Sequence, residues 1–149
     1  MQIYIAAEKD LPAVFALRVE VFVDEQHVPP DIELDAHDAD AVHIIAQENG
    51  LTVGCARILI DQNGAHIGRL AVKKAYRGRH IGTDICRVII AYCKQQGYTP
   101  LWLNAQLHAK AFYEKLGFIP QGDIFTEAGI PHIKMVKSAE TCQLKAALD

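Results

Sequence analysis

Hydrophobic positions along the chain switch between a period of two and a helical period, and the switches set the order of the elements. Gln2–Ala7 alternates as a short strand. Val14, Leu17 and Val21 then recur at helical spacing, predicting a helix over 11–24. Asp10 stands where it can cap that helix, and Pro12 falls in the first turn, where its missing N–H costs nothing. Pro29-Pro30 stops any continuation and opens a loop rich in acids. Three strand-like runs follow, Val42–Glu48, Leu51–Asp61 and Ala65–Val72, joined by Asn49-Gly50 and Gln62-Asn63-Gly64, both hairpin signals. A loop, Lys73–His80, leads into a helix with the apolar stripe Ile81, Ile85, Val88, Ile89 and Tyr92, and Gly97 is placed as its C-terminal cap. Thr99–Ala105 reads as a buried strand, His108–Leu116 as a short helix ended by Gly117, and 119–126 and 132–137 as two closing strands. Ser138–Asp149 reads as a loosely held helix. The class is α/β.

Composition narrows the picture. At 149 residues the chain predicts one domain, large enough for a core without disulfides or metal. Hydrophobic residues make up 50% and charged residues 22%, which suits a globular protein and excludes a disordered one. A net charge of −3 argues against a nucleic-acid partner. The apolar runs are far short of the roughly 20 residues that span a bilayer, and no secretory signal follows Met1, so the expected setting is cytoplasmic, off the membrane, as a monomer or homodimer. Cysteines at 55, 86, 93 and 142 form no C-x-x-C pair, and the seven histidines show no zinc spacing, so no metal is expected. Cys86 and Cys93 share one helix face, as buried thiols do.

Charge is divided unevenly. Residues 1–56 carry Lys9 and Arg18 against eleven acids, a balance of −9, while 57–149 balance at +6. No lysine or arginine lies between Arg18 and Arg57, and seven acids fall between 24 and 40: Asp24, Glu25, Asp31, Glu33, Asp35, Asp38 and Asp40. Most of these read as a solvated acidic loop. Read functionally, they form an acidic rim for a cationic substrate, facing a basic patch that holds an anion.

The basic patch is concentrated in a strand, a glycine loop and a helix start. It reads Leu70-Ala71-Val72-Lys73-Lys74-Ala75-Tyr76-Arg77-Gly78-Arg79-His80-Ile81-Gly82-Thr83. Gly78 and Gly82 allow backbone N–H groups to turn inward, and the helix start adds unpaired donors at the positive end of its dipole. With Arg77 and Arg79 alongside, this is a cradle for a pyrophosphate. It is neither a nucleotide P-loop, lacking G-x-x-x-x-G-K-S/T, nor a G-x-G-x-x-G dinucleotide turn.

The segment resembles motif A of the GNAT N-acetyltransferase superfamily, R/Q-x-x-G-x-G/A. Arg77 and Gly82 match its outer positions, and His80 stands where the family has its middle glycine. A second stretch resembles motif B: Leu101-Trp102-Leu103-Asn104-Ala105-Gln106, then Ala109, then Phe112-Tyr113-Glu114-Lys115-Leu116-Gly117-Phe118. Phe22–Pro30 and Gly129–His132 resemble the F-V-x-E-Q-x-V-P-P and G-I-P-H segments of small bacterial members, so the likeness covers nearly the whole chain. It implies an acyl-CoA N-acyltransferase fold: a mixed, largely antiparallel sheet flanked by helices, with splayed central parallel strands. It implies acetyl-CoA as cosubstrate and an amine as acceptor, with no metal. The cofactor contacts carried over are Leu70, Ala71, Val72, Arg77, Gly78, Arg79, His80, Ile81, Gly82, Thr83, Asn104, Ala109 and Phe112.

Acetyl transfer needs an oxyanion donor, a proton for the leaving thiolate and a base for the amine. The resemblance implies Val72 N–H for the first and Tyr113 for the second. A lysine-like amine has a pKa near about 10.4, so its proton must be removed. His66, eleven residues before Arg77, is the candidate base from the position where some members carry a glutamate, although a lone strand histidine is more often structural. Glu25, Glu33 and His132 are the alternatives, and the candidate residues for the acceptor. A rival reading is a non-catalytic CoA-binding sensor or partner-binding module that has kept the cradle and lost turnover.

Overall fold

A computed structural model describes residues 1–138; the tail predicted as a helix lies, beyond Ser138, outside the described residues. Seven strands form one sheet in the order β1-β2-β3-β4-β5-β7-β6, antiparallel throughout the pairings described except for the parallel pair β4–β5, and helices flank it. The strands are β1 (Gln2–Ile5), β2 (Val42–Glu48), β3 (Leu51–Asp61), β4 (Gly64–Val72), β5 (Leu101–Gln106), β6 (Ile119–Glu127) and β7 (Ile130–Lys137). The helices are α1 (Leu11–Arg18), α2 (Pro30–Glu33), α3 (Ile81–Gln96) and α4 (Lys110–Lys115). The chain divides into two compact units, Met1–Leu59 with Ile67–Ile89, and Ile60–His66 with the residues from Ile90 onward.

In the first unit, the predicted 11–24 helix is regular only to Arg18. It then widens into a π-helical turn over Val19–Glu25, where Gln26 N–H reaches back to Val21 O at 3.1 Å. Asp10 does not cap it: a 3-10 turn at Glu8–Asp10 precedes the helix, and the Asp10 carboxylate accepts from Ala7 N–H at 2.9 Å. The acidic segment after Pro29-Pro30 is not an irregular loop. It forms α2 and a 3-10 turn, Ala36–Ala39, whose first N–H groups Asp35 caps from His37 N at 3.0 Å. Asn49 and Gly50 both take positive φ, 52° and 80°, as the two-residue hairpin turn between β2 and β3 demands. Val14, Leu17, Val21, Ile45, Cys55 and Ala71 form the core here, with Tyr4, Phe15 and Phe22 packed against them. At Gly54 a Cβ would lie 2.7 Å from Ile85 and 3.2 Å from Ile81, so the missing side chain lets the first turns of α3 sit close on β3.

In the second unit, β5 alternates: Leu101, Leu103 and Ala105 are buried while Trp102, Asn104 and Gln106 are half-buried. It is a strand with one buried face rather than a wholly buried one. Its parallel partners on β4 are Ala65, opposite Leu101, and His66, opposite Trp102, and β7 runs antiparallel along its other edge. The short helix predicted at 108–116 is a 3-10 turn, Leu107–Ala109, followed by α4. Among the described residues, no helix is long and apolar enough to cross a membrane, and no cluster of three or more His, Cys, Asp or Glu is arranged to hold a metal ion. Burial pushes the thiols of Cys86 and Cys93 up to about 12 and about 11, which leaves them unreactive at neutral pH.

Candidate functional site

The cradle is built where β4 gives way to α3. Lys73 N–H ties the end of the strand to Val53 O at 2.8 Å, a 3-10 turn covers Lys74–Tyr76, and Arg77 is extended. Gly78 then takes φ +81° and His80 φ +63°, so two left-handed residues flank Arg79 and turn the chain into the helix. The carbonyl of His80 accepts from Asp84 N–H at 3.0 Å, so the donors of Ile81, Gly82 and Thr83 precede the first turn's closure. Loop and helix start thus present consecutive N–H groups at the positive end of a 16-residue helix. That suits an anion with several acceptor oxygens.

His80 takes a backbone conformation that glycine adopts without strain. A side chain in the left-handed region costs about 1–2 kcal/mol, part of which glycine gives back through its freer unfolded chain. His80→Gly is therefore expected to stabilise the protein by about 0.5–1 kcal/mol and to raise the melting temperature by a few degrees. A thermal melt that does not rise would show that the imidazole holds a compensating contact.

Three basic side chains around the cradle, Arg77, Arg79 and Lys73, are each held by a carboxylate. Arg77 donates from Nη1 and Nη2 to the two oxygens of Glu25 at 2.6 and 2.8 Å, and from Nε to Val72 O at 3.0 Å. Arg79 donates from Nη2 to both oxygens of Glu48 at 3.0 and 3.2 Å, and its guanidinium lies 5.1 Å from the centre of the Tyr76 ring. Lys73 Nζ is 2.9 Å from Glu20. The hydrogen bonds from Arg77 hold the Glu25 carboxyl below its usual range, and Glu25 in turn raises Arg77.

The acidic segment is paired too. Arg18, fully buried, donates to Glu33 Oε1 at 2.8 Å and to Asp38 Oδ1 at 2.7 Å. Arg57 binds Asp35 at 2.8 Å and Asp38 at 2.9 Å, and Arg69 reaches Glu33 at 3.1 Å and Asp35 at 3.3 Å. Three arginines and three acids therefore form one ionic network under the segment. The solvated-loop reading is corrected for Glu33, Asp35 and Asp38, and Glu33 is not on an exposed rim. Arg69 has φ +54° inside β4, immediately before Leu70, Ala71 and Val72, and its guanidinium also donates to Glu33 O at 3.0 Å and Ile32 O at 3.1 Å. The network thereby anchors a left-handed residue just upstream of the strand end that leads into the cradle.

The remaining candidates lie in the second unit. His66 lies flat on Trp102, ring centroids 3.8 Å apart and planes 3° from parallel, and Lys134 Nζ sits 4.8 Å from the centre of the same indole. Asn104 is half-buried on β5 opposite Lys134. Ala109 ends the 3-10 turn before α4, on which Phe112 and Tyr113 stack at 5.0 Å, and Phe118 meets the Tyr113 ring edge-on at 6.0 Å. His132 is buried, with Nδ1 2.7 Å from Ile130 O, Nε2 3.6 Å from Glu127, and Phe125 stacked on it.

Two sets of pairings escaped the sequence reading: Glu48 and Glu20 with Arg79 and Lys73, and Arg57 with Asp35 and Asp38. One signal was available for the second. Arg18 falls one residue after Leu17 and four after Val14, on the buried stripe of its helix, and a charge there must find partners.

Comparison with known proteins agrees with this geometry. The family model for the acetyltransferase (GNAT) domain matches residues 8–139. Protein ElaA of Escherichia coli is 37% identical over 132 residues, covering 85% of this chain and 86% of its own. The crystal structure of an acyl-CoA N-acyltransferase from Pseudomonas aeruginosa superposes with a TM-score of 0.82 at 30% identity, covering 92% of this chain and 98% of that one. The crystal structure of an aminoglycoside 6'-N-acetyltransferase complexed with coenzyme A shares the fold, with a TM-score of 0.74 at 17% identity over 93% and 97% of the two chains. The turn into α3, the sheet order and the match across 8–139 together place this chain in the GNAT acetyltransferase family.

Proposed function

We propose that the chain is a single acetyltransferase domain that moves an acetyl group from acetyl-CoA to a primary amine. The observation that carries this reading is the left-handed turn at Gly78 and His80 feeding the N-terminus of α3. That turn offers a row of backbone donors to a pyrophosphate, with Arg77 and Arg79 supplying charge. The space around Gly78 is open, since apart from its chain neighbours nothing lies within 4 Å of where a Cβ would be, which leaves room for an anion beside the backbone.

In this reading, Gly78, Arg79, His80, Ile81, Gly82 and Thr83 hold the phosphates, and Leu70, Ala71 and Val72 bind the pantetheine arm through their backbone. Asn104, Ala109 and Phe112 are further contacts for that arm. Acetyl-CoA supplies the activated thioester. Val72 N–H donates to the carbonyl oxygen as charge builds on it, and Tyr113 Oη gives its proton to the departing thiolate. His66 is the residue assigned to take the acceptor's proton, directly or through water. Glu33 is buried in its pair with Arg18, which counts against it as an acceptor contact; His132, also buried, and Glu25 are the other candidates.

Titration calorimetry with acetyl-CoA tests the cradle. Saturable binding that Arg79→Ala weakens supports the reading, whereas no binding to the wild-type chain would remove the cofactor from the account.

A further inference from the structure

We infer that Glu25 is an internal competitor for the cofactor's phosphate, occupying the guanidinium of Arg77 until a phosphate displaces it; this inference rests on the cofactor reading above. A guanidinium offers two forks that match two oxygens of a phosphate: the pair of terminal amines, and Nε with its neighbouring amine. Both are engaged. The terminal fork is closed by the two Glu25 oxygens at 2.6 and 2.8 Å, and Nε is committed to Val72 O at 3.0 Å. Arg77 can therefore grip a phosphate in two-toothed fashion only by breaking one of these contacts. The backbone contact holds the loop to the end of β4, while the carboxylate contact reaches 52 residues back along the chain to the last residue of the π-helical turn.

The same geometry makes the exchange feasible. Both partners are about a third exposed, 39% for the Arg77 side chain and 34% for that of Glu25, so the pair is wetted and worth little on its own. A phosphate carries more charge than a carboxylate and is already held by the loop's N–H groups, so it can replace Glu25 without leaving Arg77 unpaired. Arg79 differs. It meets Glu48 through one amine and stacks on Tyr76, which leaves its arrangement less exclusive. Glu25 thus sets the affinity of the cradle from outside it.

The test is calorimetric titration of the full chain with coenzyme A, comparing wild type, Glu25→Gln and the double variant Glu25→Gln/Arg77→Gln with Arg77→Gln. Glu25→Gln is expected to tighten binding about two- to fivefold, the range that an exposed ion pair supports. The gain should largely vanish in the Arg77→Gln background. Pantetheine, which has no phosphate, should bind the two Arg77-containing proteins equally. Glu25→Ala repeats the comparison without the amide. Unchanged or weaker binding in Glu25→Gln would overturn the inference, since Glu25 would then orient Arg77 rather than compete for it. So would a gain that persists undiminished without Arg77, which would be a field effect of the lost charge. Absence of coenzyme A binding in every protein, wild type included, would instead overturn the cofactor reading on which the inference stands.

Discussion

Replacing Tyr113 by phenylalanine is expected to cut turnover by about a hundred- to ten-thousand-fold, the usual worth of a positioned general acid, when the chemical step limits the rate. The affinity for acetyl-CoA should stay nearly intact. The substitution keeps the ring that stacks on Phe112 and meets Phe118, so packing on α4 is preserved and the missing hydroxyl is isolated. Where product release limits instead, the steady-state effect shrinks and a single-turnover measurement exposes the slowed step. A wild-type single-turnover rate would show that Tyr113 serves only the core. The thiolate, whose pKa lies near about 8.5, would then leave unassisted.

Arg18→Met is expected to destabilise the protein by about 3 kcal/mol, lowering the melting temperature by about 10 °C. The aliphatic side chain fills much of the volume, but the wholly buried Glu33 loses its 2.8 Å partner and Asp38 its 2.7 Å one. Arg69 and Arg57 retain part of the compensation. The network also sets an acid limit. Burial would raise the Asp38 carboxyl, but hydrogen bonds from Arg18 and Arg57 outweigh it and hold the group at about 2. Unfolded, it protonates near its ordinary 3.8. The folded state therefore binds fewer protons in this window, and its stability, full above pH 4, declines as pH falls towards 2. In Arg18→Met the Asp38 carboxyl loses one of these donors and its folded value moves back towards 3.8, so the decline should become smaller. A variant within about 0.5 kcal/mol of wild type in denaturant melts would mean the network contributes nothing beyond packing.

Much of this architecture was legible in the order of hydrophobic periods. β2, β3 and β4 stand where alternation and the Asn49-Gly50 turn put them, to within a residue, because hairpin chemistry and one-faced burial are local properties. The stripe from Ile81 likewise marks α3, and Gly78 marks the left-handed turn before it, whereas Gly82 falls inside the helix and His80 takes the second left-handed position. What the pattern could not show was pairing at long range. The acids between 24 and 40 look solvated in a local window, yet Arg57 and Arg69 come from strands far along the chain to neutralise Asp35 and Glu33. The widening of the helix after Arg18 was equally invisible. The apolar spacing of Val14, Leu17 and Val21 continues through it, and only the backbone bonds reveal the change of period. Glu25 was read as a rim acid and Glu48 only as the end of a strand; that each would be held by an arginine of the cradle is a tertiary fact.

The central claim is that this chain releases the thiol of acetyl-CoA by acetylating an amine. The most direct measurement incubates the protein with acetyl-CoA and a panel of primary amines, small cationic amines and peptide amino groups among them, and follows free thiol together with the mass of the acceptor. The account predicts thiol release in one-to-one proportion with an acetylated amine, dependent on the protein and lost in Tyr113→Phe. Saturable binding of acetyl-CoA with no thiol release at any amine would contradict it, and the domain would then be a CoA-binding module without turnover.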